Sequence, residues 1–271
     1  MIIAFAYAEP QGRYTWSDLK TTAKKDGSGY VLNGHKAVVI GAPWATHLIV
    51  TARTGGGQRD ESGVSVFIVD KNAKGVVTRD YPTVDGQRAS EVFFENVSVG
   101  ADALLGAEGA GLPLVHKVLD EATAASCAEA VGAMRQLHTG TLEYARQRKQ
   151  FGVAIASFQV TQHRLADMHM ALLQANALVG ATLSAMDGPA PQRRRAVASA
   201  QVAVARAART VGQGAVQLHG GMGMTDELVI GHGFKRLTLV EQLMGGIDVH
   251  LRQVARLGVL GTLAEAPLPA A

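Results

Sequence analysis

Leu105-Gly-Ala-Glu-Gly-Ala-Gly111 marks the point where the chain changes character. Upstream of it, short apolar runs alternate with turn signals: Gly29-Tyr-Val-Leu-Asn-Gly34, His47-Leu-Ile-Val-Thr-Ala52, Val64-Ser-Val-Phe-Ile-Val69 and Glu91-Val-Phe-Phe-Glu95. Several keep the period of two that a half-buried strand requires, and Asn33-Gly34 carries a hairpin signal. Gly55-Gly56-Gly57 and Lys71–Gly75 read as loops. Downstream the period lengthens. Leu112 to about Arg148, Ser157 to Met186, Pro191 to about Leu218 and Phe234 to about Leu263 place apolar residues three and four apart, as in Leu165, Met168, Leu172 and Ala175. Pro191 suits a first helical turn. The predicted fold is α+β: a small antiparallel barrel or sandwich over residues 1–105, then an antiparallel four-helix bundle over 106–263. A tail over 264–271, with two prolines, is expected to be disordered.

Composition narrows the class without naming a chemistry. The 271 residues are 47% hydrophobic and 18% charged, which supports a folded core. The one cysteine, Cys127, excludes a disulfide framework and fits a reducing, cytoplasmic setting. Lys+Arg 26 against Asp+Glu 23, with 5% aromatics, is too even a balance for a nucleic-acid surface. The apolar stretch 38–50 is interrupted by Pro43, Trp44 and His47, so no membrane span is expected. Ile2-Ile3 follow Met1 without a basic segment, so no signal peptide is expected.

Two segments can carry chemistry. The first is Arg148-Lys-Gln-Phe-Gly152 with Ser157-Phe-Gln159 and Arg164-Leu-Ala-Asp-Met168. An arginine closing one helix, a Phe-Gly turn and a Phe-Gln entering the next helix form a potential binding corner. The guanidinium suits a pyrophosphate, and the Gln amide both donates and accepts. A helix hairpin whose basic last turn complements its dipole is the plainer alternative. The second is Gln213-Gly-Ala-Val-Gln-Leu-His-Gly-Gly-Met-Gly-Met-Thr225, where paired glycines let a ligand approach the backbone. A helix cap and loop would read the same way. His219 has no second histidine or carboxylate at ligand spacing, so no metal is assigned.

In their order, spacing and helical context these segments resemble the acyl-CoA dehydrogenase family. Its Arg-x-x-Phe-Gly turn, following Phe-Gln, and later Gln-x-x-Gly-Gly with a Gly-x-Thr extension are all matched. Ala8-Glu9-Pro10-x-Gly12, the hairpin ending in Lys36, Arg88, Phe94-Glu-Asn-Val97 and Leu105-Gly106 look like its middle domain. The resemblance runs from about Ile2 to Leu257. It implies an FAD bound between a β-domain and a helical domain, partly by a neighbouring subunit. Arg148, Phe151, Gln159, Gln217, Gly220, Gly221 and Thr225 would then meet the adenosine-pyrophosphate half, with Val39 and Ile40 near the flavin ring. The implied reaction is α,β-dehydrogenation of an acyl-CoA thioester, as in fatty acid degradation, with electrons passed to an electron-transfer flavoprotein.

The sequence also departs from the family. Its usual catalytic base, the Glu of a Glu-Gly-Thr segment, is matched by Met244 in Leu243-Met-Gly-Gly246, and methionine accepts no proton. A minority position for the base matches Ala122. Glu121 is adjacent, but one residue turns a helix by about 100°. Three carboxylates remain as candidates: Asp248 first, because the Gly245-Gly246 break can redirect the chain, then Glu241 and Glu121. Each reads more readily as an exposed helical charge. The family's Trp-Ile-Thr appears as Val38-Val39-Ile40, and Ala8 replaces a Thr. Backbone amides must then hold the ring, or Trp44 fills the space, although Trp44 reads better as ordinary core.

Gly34-His-Lys-Ala-Val38, Tyr81–Gly86, Leu119–Ala122 and Phe234–Leu237 resemble a sub-branch of unequal pairs, the small subunits of pimeloyl-CoA-type dehydrogenases. That implies a homo- or hetero-tetramer with a larger subunit. A non-catalytic partner that completes an FAD site is the alternative, and a flavin oxidase or monooxygenase on the same fold is another. The family's N-terminal helical domain has no counterpart here, which reads as a fragment, a shifted start, or a wall supplied by a partner.

Overall fold

The expected short strands are present, and the computed structural model, which describes residues 1–258, resolves seven of them into one sheet. The chain divides into two compact units, Met1–Val118 and Leu119–Ala271. In the first, β1 (Ile3–Ala6), β2 (Thr22–Asp26), β3 (Gly29–Ile40), β4 (His47–Arg53), β5 (Val64–Asp70), β6 (Val76–Pro82) and β7 (Arg88–Val99) line up as β1-β4-β2-β3-β7-β6, with β5 on the other edge of β4. The sheet is a curled half-barrel over a core that includes Leu32, Leu48, Val50, Phe67, Val69 and Val92.

Two expectations change. The sheet is mixed, because β1 runs parallel to β4 and Thr22 meets Arg53 in parallel register. The residues between β1 and β2 do not form a hairpin; they loop away and return beside the same strand. Asn33-Gly34 is not a turn either but lies inside β3, at a register shift against β7. The β2–β3 turn falls at Gly27-Ser28, between Asp26 and its partner Gly29. Gly34 is needed for another reason: a Cβ there would stand 2.4–2.6 Å from Thr21.

A buried ion pair fastens the β1–β2 loop to the sheet. Lys36 Nζ lies 2.7 Å from Glu9 Oε1 and donates to Thr51 Oγ1 at 2.9 Å. Glu9 also accepts the backbone N–H groups of Lys20 and Thr21 and the Gln11 amide. Burial alone would raise the Glu9 carboxyl, but the Lys36 charge and these hydrogen bonds outweigh it and hold it below the usual range. Burial pushes Lys36 down to about 8 against the pull of Glu9. Arg53 does similar work on the next loop, donating to the carbonyls of Ser17, Gly55, Asp60 and Ser62.

The second unit is helical. α1 (Leu112–Gln147), α2 (Gln159–Ala185), α3 (Ala190–His219), α4 (Val229–Leu243) and α5 (Ile247–Leu257) follow in order. The expected fourth helix starts earlier, at Val229, and breaks at Met244-Gly245-Gly246, where Gly245 adopts φ 116. The four-helix expectation is thus corrected to five helices among the described residues. The end expected near Leu263 and the 264–271 tail lie outside them.

Contacts fix the helix directions. His138 reaches the Leu165 carbonyl and Arg135 reaches Asn176, so α1 and α2 are antiparallel. Thr182 bonds the Ala196 carbonyl while Met168 fills the space over Gly214, so α2 and α3 are antiparallel too. Consequently the end of α1, the start of α2 and the end of α3 share one end of the bundle. Its core holds Met134, Leu137, Met168, Ala200, Val211 and Leu237. Cys127 is part of it, donating to Gln201 Oε1 at 3.0 Å, and burial pushes its thiol up to about 12. The thiol of the folded protein should therefore resist an aromatic disulfide reagent for hours and react at once in denaturant. Rapid labelling under native conditions would contradict this packing.

Candidate functional site

At the shared end of the bundle, α1 closes and a two-residue hairpin follows. Arg148 N–H donates to the Tyr144 carbonyl and Ile155 N–H donates to the Arg148 carbonyl, each at 2.8 Å. Between them β8 (Lys149–Gln150) pairs with β9 (Val153–Ala154). The tip residues, Phe151 and Gly152, have φ 53 and 84, the all-positive pattern of a type I′ turn. Phenylalanine is a poor choice for that conformation, and here its ring is 92% exposed. Phe158 stands edge-on to it at 6.2 Å and precedes Gln159, the first residue of α2.

The glycine-rich segment arrives at the same end. His219 stacks on Tyr144 with ring centroids 4.2 Å apart, tying the last turn of α3 to the last turns of α1. The histidine is buried, with Nδ1 donating to the Ala215 carbonyl at 2.9 Å, so its role is structural. Gly220 caps α3 at φ 61 and ψ −141, a conformation open to glycine. Nothing lies within 4 Å of where a Cβ would stand on Gly220 or Gly221. Gly223 is different: a Cβ there would come 2.8 Å from the Val216 carbonyl. Thr225 Oγ1 donates to the Met222 carbonyl. Thus Arg148, Phe151, Gln159, Gln217, Gly220, Gly221 and Thr225, up to 77 positions apart in sequence, are gathered at one end of one unit. Arg148, Gln159 and Gln217 are exposed, and their side chains make no hydrogen bond among the described residues. A fixed cation, two amides and open glycine backbone suit a diphosphate.

The first unit has a bulge of its own. In the β3–β7 pairing Lys36 faces Val92 and Val39 faces Ser90, leaving one extra residue on β3. That strain centres on Val38, at φ 53, which costs a β-branched residue about 1–3 kcal/mol. Val38 is half exposed, Ile40 half-buried, and the Val39 side chain is buried in the sheet core. Val39 can therefore meet a ligand through its backbone alone. Trp44 is 56% exposed in a short turn over Ala42–Trp44, which corrects its reading as core. Pro43 is the second residue of that turn.

The carboxylates are placed differently from one another. Glu241 is buried on α4 and gripped by Arg209, whose Nε donates to Oε2 at 2.8 Å and whose Nη2 donates to Oε1. The Arg209 guanidinium is in turn held above its ordinary value by that hydrogen bond. Asp248 is exposed in the first turn of α5, where the helix dipole favours its charge. Glu121 is exposed on α1. Beside Met244, the buried His250 donates from Nε2 to the Met244 carbonyl at 3.2 Å, and burial pulls its pKa down. One carboxylate escaped the sequence reading: Asp120 pairs with Arg193 at 3.1 Å, with burial raising it against the arginine's pull. Its signal was the spacing of Asp120, Ala124, Cys127 and Val131, all on the buried face of α1. Among the described residues no group of three or more His, Cys, Asp or Glu is placed to hold a metal, and no helix is long and apolar enough to cross a membrane.

Comparison with known proteins identifies both halves of the chain. Residues 4–97 match the acyl-CoA dehydrogenase middle domain and residues 109–258 match the acyl-CoA dehydrogenase C-terminal domain. The probable acyl-CoA dehydrogenase YngJ of Bacillus subtilis is 32% identical over 256 residues, covering 93% of this chain and 67% of the relative. Butyryl-CoA dehydrogenase from Megasphaera elsdenii superposes with a TM-score of 0.86 at 26% identity, over 97% of this chain and 68% of that one. The FAD complex of PigA does so with 0.88 at 28%, over 94% and 67%. The chain spans about three-fifths to two-thirds of the length of the curated relatives it matches. With both domains matched in order, the chain belongs to the acyl-CoA dehydrogenase family, FAD-containing oxidoreductases that act on CH–CH groups.

Proposed function

We propose that this chain binds FAD and takes part in α,β-dehydrogenation of an acyl-CoA thioester, as one subunit of a heteromeric enzyme that passes electrons to an electron-transfer flavoprotein. The observation that carries the reading is the gathering of Arg148, Gln159, Gln217, Gly220 and Gly221 at one end of the bundle. Arg148 and the two glutamines hold the adenosine-pyrophosphate half, which the family resemblance assigns to a neighbouring subunit's flavin. In the first unit the Val38–Ile40 backbone borders the ring. When bound, FAD supplies the hydride acceptor; the protein must supply a base for the Cα proton.

Asp248 is the first candidate for that base, because it is exposed, whereas Glu241 is buried and takes both hydrogen bonds of the Arg209 guanidinium. Asp248→Asn should lower the rate at which an acyl-CoA thioester bleaches the bound flavin by at least about 100-fold, without changing FAD content. Undiminished bleaching would remove Asp248.

A second reading has its own observation. With Met244 at the usual base position and Glu241 committed to Arg209, the chain can serve as a non-catalytic partner that completes an FAD site. Co-purification with a larger dehydrogenase subunit, plus absence of turnover by this chain alone, would favour it. A purified chain that takes up no FAD, either alone or together with that larger subunit, would sink both readings.

A further inference from the structure

The bulge in β3 is held from behind by a carboxylate that no motif announced. Glu91 lies on β7, opposite the bulge, and three groups converge on it. His35 Nε2 is 2.6 Å from Oε2, the Tyr81 phenol donates to Oε1 at 3.0 Å, and the Val38 backbone N–H points to Oε1 at 3.4 Å. These partners come from β3 and β6, the strands on either side of β7. Each is fixed in turn. His35 stacks on Phe93 at 4.2 Å, and the Arg79 guanidinium lies 4.9 Å from the same ring. Burial, then Glu91, pushes the Tyr81 phenol up to about 12, so it remains a donor at working pH. On the other flank of Val38, Ala37 N–H donates to the Ala8 carbonyl and Gly41 N–H to the Arg88 carbonyl. The strained residue is thereby fastened on both sides and by its own amide.

A β-branched residue keeps a left-handed φ when its surroundings over-determine it. Val38-Val39-Ile40 also lacks any side-chain donor or acceptor, so this segment can address a polar ligand through its backbone alone, and the backbone direction is what the bulge sets. We propose that Glu91 is a positioning residue: by holding the Val38 bulge, it aims the Val38–Ile40 backbone at the flavin ring. The inference rests on the reading that FAD binds this chain with its ring at that segment.

The test uses the full chain loaded with FAD, in wild type, Glu91→Ala, Tyr81→Phe and the double variant Glu91→Ala/Val38→Gly. Glu91→Ala should weaken FAD binding about tenfold and shift the flavin absorption band and reduction potential. Tyr81→Phe, which removes one of the three partners, should move the same readouts by less. Glycine adopts φ near 53 without strain, so Val38→Gly should restore the spectrum and potential in the Glu91→Ala background. A merely structural role for Glu91 would not be rescued by a glycine at 38. If Glu91→Ala fails to fold, Tyr81→Phe alone carries the test. Wild-type spectrum, potential and affinity in a folded Glu91→Ala or, failing that, in Tyr81→Phe, would overturn the positioning role and leave FAD binding intact. Failure of the wild type to bind FAD would overturn the underlying reading and this inference with it.

Discussion

Lys36→Met is expected to destabilise the β unit by about 3–5 kcal/mol, the usual cost of leaving one member of a buried ion pair behind. The Glu9 carboxylate would remain buried with its charge and lose Nζ at 2.7 Å. Urea unfolding followed by far-ultraviolet circular dichroism measures the loss. Combining it with Glu9→Gln should recover much of the stability. That amide removes the orphaned charge, and its one oxygen, placed at the Oε2 position, still accepts from Lys20 N–H at 2.7 Å and from Thr21 N–H at 3.4 Å. A double variant as weak as Lys36→Met would mean that the charge is not the issue. The pair also has an acid limb. The Glu9 carboxyl titrates below its ordinary value in the folded state, so its stabilisation is complete above the ordinary glutamate range. It should disappear as the pH falls through the folded value, where the unfolded chain has already taken up the proton. In Glu9→Gln that contribution to the acid limb should vanish.

Arg148→Ala is expected to weaken FAD binding by one to two orders of magnitude, about what a charge-assisted contact to a phosphate contributes. Retained flavin fluorescence after ultrafiltration reads it directly. Lysine at 148 should recover little, since a point charge lacks the planar fork that grips two oxygens at once. Phe151→Ala provides the comparison: it removes an exposed ring and leaves the cation, so it should cost less. If Arg148→Ala holds FAD as tightly as wild type, the end of the bundle is not where the diphosphate lies.

The sequence reading succeeded where local pattern and fold agree. The apolar runs of β4 and β5 and the apolar spacing in α2 report burial directly, and all three elements fall within a residue or two of expectation. It misplaced the hairpin because Asn33-Gly34 carries a turn signal that tertiary context overrides. Gly34 is small to let Thr21 approach, a demand made by a residue from another strand's entrance. Periodicity carries the fourth helix from Phe234 to about Leu263 and leaves Gly245-Gly246 as a break that can redirect it, because two glycines cost a helix only modest propensity; the end of one helix and the start of the next are fixed by Gly245 and the His250 bond to the Met244 carbonyl. For the site, single residues were legible, since arginine, paired glycines and glutamine are individually suggestive. What joins them was not. The Tyr144–His219 stack spans 75 positions, and nothing in either neighbourhood names the other. Glu91 was invisible for the same reason, quoted as the first residue of a strand while its work is done across two neighbouring strands.

The hairpin at the end of α1 has a thermodynamic consequence of its own. A loop that orders itself on contact gives up about 1–2 kcal/mol of backbone entropy for each residue fixed, and that loss is charged to the affinity. Here the backbone of Arg148–Ile155 is already closed by its own hydrogen bonds, with Phe151 held outward before anything touches it. Whatever docks on this tip meets a finished surface, so nearly all of the ring's burial remains available as binding free energy. Loosening the hairpin without altering the ring should erode affinity through an added ordering step whose entropy cost the contact must offset. The rigidity of eight residues thus becomes a property of the encounter.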